Sequence, residues 1–346
     1  MRGLPLFFSM WKLKDFEING KVVLGPMAGI TSSGYREFMA PFGVDVCVTE
    51  MVSDMGLIYS NEETSTYIDF QRIDNCLTGV QLFGHDPDCI KKAAKIVLEK
   101  NPNVDFFDIN MGCPVPKVVN AGAGSSLMKN PKLCGDMVRA IRSATNKPVT
   151  AKIRLGWDKN SINYLEVIKE LEEAGVSMIA IHARTRKELY LGEPHHELLK
   201  DLRKSMHVPL VISGNIFSLD DAIKAMEITG ADAVMVARGG MGNPFLIKQI
   251  AHYYKTGEKL PNPSLKEQLE WCYELGIKIA EEKGEDKGMR VYRTIAPKFL
   301  AGFKNSKAFR NRLVTEMTSL ETLRNILDDY AKECGIEFSL YKNSKN

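Results

Sequence analysis

A chain of 346 residues with 44% hydrophobic side chains has the apolar material for one large domain and a smaller one, which excludes an intrinsically disordered chain. Its seven cysteines are odd in number and no pair has C-x-x-C spacing, which argues against a disulfide framework and a zinc clamp and for a reducing cytoplasm. The net charge of +3 is unevenly spread: from Lys283 to Arg312 nine Lys/Arg stand against two acids, a block that suits either a polyanion contact or a solvated helix face.

Residues 1–20 read as a ragged lead-in. They hold a short apolar patch without a small-residue cleavage site, and charges follow at once. Short β-branched runs then alternate with helix-length stretches. Strands are expected over 22–27, 45–50, 77–83, 105–110, 148–154, 178–183, 208–213 and 232–237, and helices over 87–100, 131–144, 161–174 and 218–228. Ser218 with Asp221 looks like a capping pair. Eight strands, each followed by a helix or a functional loop, predict a (β/α)8 TIM barrel over 21–255. An open doubly wound sheet would usually carry a glycine fingerprint after its first strand, and "GPMAGITSSG" does not fit one. Beyond the turn-rich "GEKLPNPS" the strand signals stop. Ser264 with Glu267 predicts a capped helix of about 20 residues ending near Gly284, and Thr318 with Glu321 a last helix. Residues 264–346 therefore read as a small all-helical domain that carries the basic block. No run reaches membrane-spanning length.

Active sites of such barrels lie at the C-terminal ends of the strands. The polar and small residues there are Pro26, Met27 and Ala28, then Gln81, then Asn110 and Cys113. Lys152 and Arg154 are two apart and share a strand face. His182 and Arg184 end the sixth strand, Ser213-Gly214-Asn215 the seventh and Ala237-Arg238 the eighth. Glycines 214, 239 and 240 would let backbone N–H groups approach a phosphate, with Arg238 as a charged fork. Lys152 is costly to bury alone. It can be the partner of Asp108 or Glu50, a Schiff-base lysine, or a fixed charge beside an electron-rich cofactor. His182 could help hold the same anion, or be a hydrogen-bonded structural residue. Cys113 can be a nucleophile, a small apolar filler, or an acid, since a thiol of pKa about 8.5 stays protonated at neutral pH.

In that order "LGPMAGITSSGYREFM", "VTEMVS", "VQLFGHDP", "DINMGCPVPKVVNAGAGSSLM", "TAKIRLGWD", "HARTR" and "ARGGMGNP" occur along the chain. Over about residues 20–315 they resemble the bacterial tRNA-dihydrouridine synthases, and "MRVYRTIAPKFLAGFKNSKAFRNRL" is similar to the B-type branch. The resemblance implies a barrel bearing tightly bound FMN, NADPH as electron donor, and a helical domain that grips tRNA in the cytoplasm. It implies that Cys113 donates a proton, and that Pro26, Met27, Ala28, Gln81, Lys152 and His182 contact FMN. Asn110 falls near flavin and substrate, and Ser213, Gly214, Asn215, Ala237 and Arg238 fall on the phosphate side. Arg290, Arg293, Lys298, Arg310 and Arg312, helped by Arg184 and Arg186 at the barrel mouth, would hold the RNA backbone. No metal, membrane or obligate protein partner is implied.

The chain departs from the family pattern at three positions. Ser213 and Asn215 stand where Asn and Asp are common, and Ala237 where Gly is common. Backbone donors survive these changes, and what the changes bear on is the side-chain hydrogen bonding around the ribityl chain and phosphate. The alternative reading of the same barrel is a flavin oxidoreductase acting on a free pyrimidine, like the dihydroorotate dehydrogenases. A colourless Schiff-base aldolase built on Lys152 and a non-catalytic RNA-binding module are further rivals.

Overall fold

Eight parallel strands close on themselves in the computed structural model, which describes residues 10–337. An antiparallel hairpin comes first, β1 (Trp11–Leu13) and β2 (Phe16–Ile18). The strands that follow are β3 (Val22–Leu24), β4 (Val46–Val48), β5 (Val52–Ser53), β6 (Leu77–Phe83), β7 (Phe106–Asn110), β8 (Val149–Arg154), β9 (Met178–His182), β10 (Leu210–Ser213) and β11 (Ala233–Val236). The barrel runs β3-β4-β6-β7-β8-β9-β10-β11 and returns to β3, while the two-residue β5 pairs only with the end of β6. Each expected strand is present, trimmed by up to three residues at its ends. Strands β3, β4, β7, β9, β10 and β11 are buried along their whole length, as expected where helices cover the outside and side chains fill the inside.

The helix Pro87–Lys100 shows why the outer layer forms where it does. Asp86 accepts from the N–H of Cys89, Pro87 opens the first turn, and Ile90, Ala93, Ala94 and Val97 form one buried stripe. The helices expected near 131–144, 161–174 and 218–228 are Pro131–Arg142, Tyr164–Glu173 and Leu219–Thr229, the last with the Ser218–Asp221 box in place.

The lead-in corrects the sequence expectation within the described residues. Residues 11–18 are an ordered plug, not a ragged end: Trp11, Leu13 and Ile18 pack on Val23, Val46, Phe106, Met178, Val211 and Ala233 at the closed end of the barrel. The indole N–H of Trp11 donates to Gly20 O at 2.9 Å. Residues 1–9 of that lead-in, and 338–346 of the helical segment, lie outside the described residues.

The C-terminal segment is helical throughout: Leu265–Lys283, Glu285–Tyr292, Ala296–Phe299, Ser306–Thr315 and Leu320–Glu333. The first begins with the Ser264–Glu267 box and ends at Gly284 as expected. The last is capped one residue later than expected. Ser319 accepts from the N–H of Thr322, whose side chain reaches back, so Thr318 and Glu321 are not the cap. The segment is pinned to the loop edge of the barrel. Glu282 accepts from Ser32 Oγ at 2.5 Å and from the Gly34 N–H at 2.9 Å, and Phe42 meets Trp271 edge to face. Gly242 lies so close to Lys298 and Phe299 that a Cβ there would come within 2.6 Å of their backbone. No described helix is long and apolar enough to cross a membrane.

Candidate active site at the mouth of the barrel

Strand alternation divides the barrel interior into two layers. In the lower layer Phe106, Met178, Ala180, Val211, Ala233 and Met235 pack as an apolar floor. Further along the same faces the side chains turn polar at Asp108, His182 and Ser213. Register pairs Gln81 with Asp108, Asn110 with Lys152, Arg154 with His182, and His182 with Ser213. The polar layer lies at the strands' C-terminal ends, where a cavity of about 390 Å³ opens, within the usual range for small-molecule sites.

A chain of amides fixes the cysteine loop from below. Thr150 Oγ1 donates to Asp108 Oδ1 at 2.5 Å, and Gln81 Nε2 donates to Asp108 Oδ2 at 2.6 Å. That turns Gln81 Oε1 toward Asn110, whose Nδ2 donates to it at 2.8 Å. Asn110 Oδ1 is then left to accept from the N–H groups of Gly112 at 3.1 Å and Cys113 at 2.8 Å. From above, Ser125 donates through both N–H and Oγ to Cys113 O. Burial pushes the Cys113 thiol above its ordinary value despite the neighbouring Arg154 and Lys152 charges, so the thiol keeps its proton at neutral pH. No described His or carboxylate hydrogen-bonds its sulfur, which favours an acid over a base-activated nucleophile.

Lys152 makes no hydrogen bond or ion pair to a described residue. Of its two expected partners, Asp108 is spent on Gln81 and Thr150, and Glu50 accepts from the Gly29 N–H at 2.5 Å. Burial, and then the Arg154 guanidinium, pull the Lys152 ammonium down to about 8. Arg154 itself is 1% exposed and has no acid partner. Its guanidinium donates to Gly112 O at 2.7 Å, Thr185 O at 2.9 Å and Leu189 O at 2.8 Å, tying the cysteine loop to the loop after β9. His182 is pushed well below its ordinary value by burial and by the cations Lys152, Arg154, Arg184 and Arg238. It is therefore neutral and has one N–H to offer rather than a charge.

The loops after β10 and β11 form a cradle of free donors. The N–H groups of Asn215, Arg238 and Gly239 make no hydrogen bond to another described residue. A Cβ on Gly239 would sit 1.9 Å from Ile216 O, so only glycine allows the two loops to approach this closely. Asn215 has φ +49°, a left-handed conformation that Asn tolerates, and its carboxamide bridges Arg238 and Glu193. Beside them His196 Nε2 is buried without a partner.

All the candidate cofactor and catalytic residues line the one cavity: Pro26, Met27, Ala28, Gln81, Asn110, Cys113, Lys152, His182, Ser213, Gly214, Asn215, Ala237 and Arg238. The candidate RNA residues divide. Arg184 is a correction, because it is 0% exposed and its guanidinium holds Leu191 O, Gly192 O and His182. Arg293 donates to Met317 O, and Arg312 is held by Glu316 and Asp329. Arg186 lies over the Trp157 ring, Arg290 pairs with Asp286, and Lys298 and Arg310 are exposed. The sequence reading missed Arg154, Tyr190, His196 and Phe217 as site residues. Arg154 was within reach, being on the inward face with Lys152, but the other three sit in loops without periodicity. Among the described residues no three His, Cys, Asp or Glu cluster as metal ligands do.

A protein-family model described as "Dihydrouridine synthase (Dus)" matches residues 23–334. A "Probable tRNA-dihydrouridine synthase" from Rickettsia conorii is 35% identical over 301 residues, 87% of this chain and 90% of that protein. The "tRNA-dihydrouridine synthase B" of Pseudomonas putida is 33% identical over 327 residues, 94% of this chain and 93% of that protein. The "tRNA-dihydrouridine synthase B" of Vibrio vulnificus is 30% identical over 323 residues, 92% of this chain and 99% of that protein. Since the matched stretch runs from β3 to the last helix and takes in the whole polar cavity, the chain belongs to the dihydrouridine synthase family of oxidoreductases.

Proposed function

We propose that this protein reduces specific uridines of tRNA to 5,6-dihydrouridine in the cytoplasm, with FMN as resident cofactor and NADPH as electron donor. The carrying observation is that a protonated thiol, Cys113, and an unpaired ammonium, Lys152, open on one cavity together with a cradle of free N–H groups. The residues present fit FMN on structural grounds. The free donors at Asn215, Arg238 and Gly239, with the orphaned His196 Nε2 beside them, suit a phosphate. Lys152, which makes no hydrogen bond or close ion pair to a described residue, suits an electron-rich ring.

Bound and reduced, FMN supplies a hydride for carbon 6 of a uracil. Negative charge builds on the ring, and Cys113 gives its proton to carbon 5, which completes the dihydrouracil and leaves a thiolate that water reprotonates. Lys152 lowers the cost of negative charge in the cavity. Asn110 holds the cysteine loop, and Gln81 and His182 each offer a fixed polar edge. The uridine must leave its stack to reach the cavity. On this reading 21–255 is the catalytic domain and 264–346 the RNA-binding one, with Arg290, Lys298 and Arg310 on phosphates. The basic helical segment tells against a free pyrimidine, which needs no such platform.

The test is to map dihydrouridine in tRNA from cells lacking the gene, before and after adding purified protein and NADPH. Restoration at defined positions is the expected result. A yellow, reducible protein that restores none would sink the tRNA reading and leave a flavin barrel for another substrate.

A further inference from the structure

We infer that the groove between the barrel and the helical segment is a second nucleobase subsite, reading a base of the same RNA near the reduced uridine, with Gln268 as its reader. This rests on the reading that the chain reduces a uridine in RNA. The groove encloses about 380 Å³, and its lining includes Phe217, Asn243, Gln249, Gln268, Gly302 and Phe303. Phe217 also lines the candidate active cavity, so the two spaces share a wall.

Gln268 makes the groove more than a crevice. It is 6% exposed, in the first turns of the helix Leu265–Lys283, and its buried Oε1 has no hydrogen-bond partner. An unsatisfied buried amide is costly, and a ligand that supplies its partner recovers that cost. The neighbours offer complementary groups. Asn243 spends Oδ1 on the Leu246 N–H and keeps its NH₂, while Gln249 spends Nε2 on Leu260 O and keeps its oxygen. The wall at Gly302 is open, with nothing within 4 Å of where a Cβ would stand.

The chemistry selects the ligand. No Lys, Arg, Asp or Glu lines the groove, so it does not itself match a charged group. It offers amide donors and acceptors among phenyl side chains, which together match a planar ring with a polar edge. Cations lie where the attached backbone would run. Arg238 lies over the Phe217 ring at 5.5 Å, and exposed Lys298 packs beside Gly242. A base joined to the flipped uridine by a short backbone fits that layout.

The test compares wild type with Gln268→Met, a near-isosteric change that removes the amide. Both full-length proteins are assayed on tRNA transcripts carrying single base substitutions around the reduced uridine. The expected result is a KM for RNA raised roughly 5- to 30-fold, with kcat at saturating RNA, flavin content and the KM for NADPH unchanged. One base position at which wild type discriminates should lose its discrimination in the variant. In case the variant folds poorly, hydrogen exchange on wild type should show 262–268 and 300–303 protected by tRNA. Unchanged KM and discrimination, a raised KM for NADPH instead, or no protection there would each overturn the subsite while wild type still reduces RNA. A wild type that reduces no transcript would remove the parent reading and the subsite with it.

Discussion

The guanidinium of Arg184 lies 3.1 Å from Nε2 of His182, and both side chains are buried. A guanidinium carries only donors, so Nε2 must accept, which leaves the His182 proton on Nδ1. The expectation that Arg184 would touch RNA is replaced by a buried role beside His182, fixing the tautomer of a cavity residue. Because the folded value of His182 is depressed, the folded state resists protonation. The contribution to stability is whole above the unfolded value of about 6.5 and is lost as pH falls from there through the folded value. Nitrogen-15 NMR of histidine-labelled protein should show His182 as the Nδ1–H tautomer, with no titration between pH 8 and 6. An imidazolium signal in that range would contradict the assignment.

The relay from Asp108 to Cys113 gives a graded pair of variants. On the proposed function Cys113→Ala removes the acid and should lower turnover by about 10² to 10⁴-fold while flavin stays bound. Asp108→Asn keeps the number of heavy atoms but replaces one acceptor oxygen by an NH₂ and removes the charge that orients Gln81, so Asn110 no longer has to present its oxygen to the loop N–H groups. A loss of about 1–3 kcal/mol in transition-state stabilisation is expected, with flavin retained. Alkylation of the Cys113 thiol should also quicken as the loop loosens. Single-turnover rates with pre-reduced protein, together with iodoacetamide kinetics, measure both.

The division between what could be read from residues and what could not follows from range. Strands such as 77–83 and 105–110 are short runs rich in aliphatic and aromatic residues, and local pattern suffices for them. Lys152 and Arg154 were placed on one face by period alone. The plug at Trp11 was invisible because its partners Val23, Met178 and Val211 come from distant strands. The expected pairing of Lys152 with Asp108 is only half present: the two charges act on each other, yet cross-strand pairing gives the hydrogen bonds of Asp108 to Gln81 and Thr150. Arg184 was read as surface because a strand-end arginine usually reaches water. Only the loop that folds back over it, offering Leu191 O and Gly192 O, makes burial tolerable.

On the proposed function Lys152 trades stability for binding. Its ammonium is held down to about 8 in the folded chain, against about 10.4 unfolded. Between these values the unfolded chain binds the proton and the folded one does not. Flavin-free protein therefore gains stability as pH rises through that window and carries the full penalty below about 8. Lys152→Met should raise the Tm of the flavin-free protein at pH 7 and flatten its rise between about pH 8 and 10.4. The same change should weaken FMN binding at pH 7. Calorimetry and flavin titration check the two signs, and a variant that is both less stable and equally avid for flavin would refute the trade.

Free and engaged cations of the helical segment should separate in salt dependence. Arg310 and Lys298 are exposed and make no ion pair with a described residue, whereas Arg312 is shared between Glu316 at 2.9 Å and Asp329 at 3.0 Å. Arg310→Ala and Lys298→Ala should each weaken tRNA binding at low salt and reduce the slope of log K against log salt by about 1. Arg312→Ala should change that slope less and cost folding stability instead, through two abandoned carboxylates. Binding isotherms at several salt concentrations, with thermal melts alongside, distinguish the two behaviours.

Gly239 sets how closely the β10 and β11 loops can meet. A methyl group there would lie 1.9 Å from Ile216 O and 3.0 Å from Leu246 Cδ2, and the first of these is backbone that no rotamer change can clear. Gly239→Ala must therefore push the loops apart, at a cost of about 3 kcal/mol or more. The displacement falls on the N–H groups of Asn215, Arg238 and Gly239, so their convergence should fail together with stability. Gly257, with nothing within 4 Å of a Cβ, is the control for added volume, although its own φ of +79° makes alanine mildly strained. Gly239→Ala is expected to lower Tm and to purify with little flavin, and Gly257→Ala to lower Tm slightly with normal flavin content. Full flavin occupancy in Gly239→Ala would show that the cradle does not carry the phosphate.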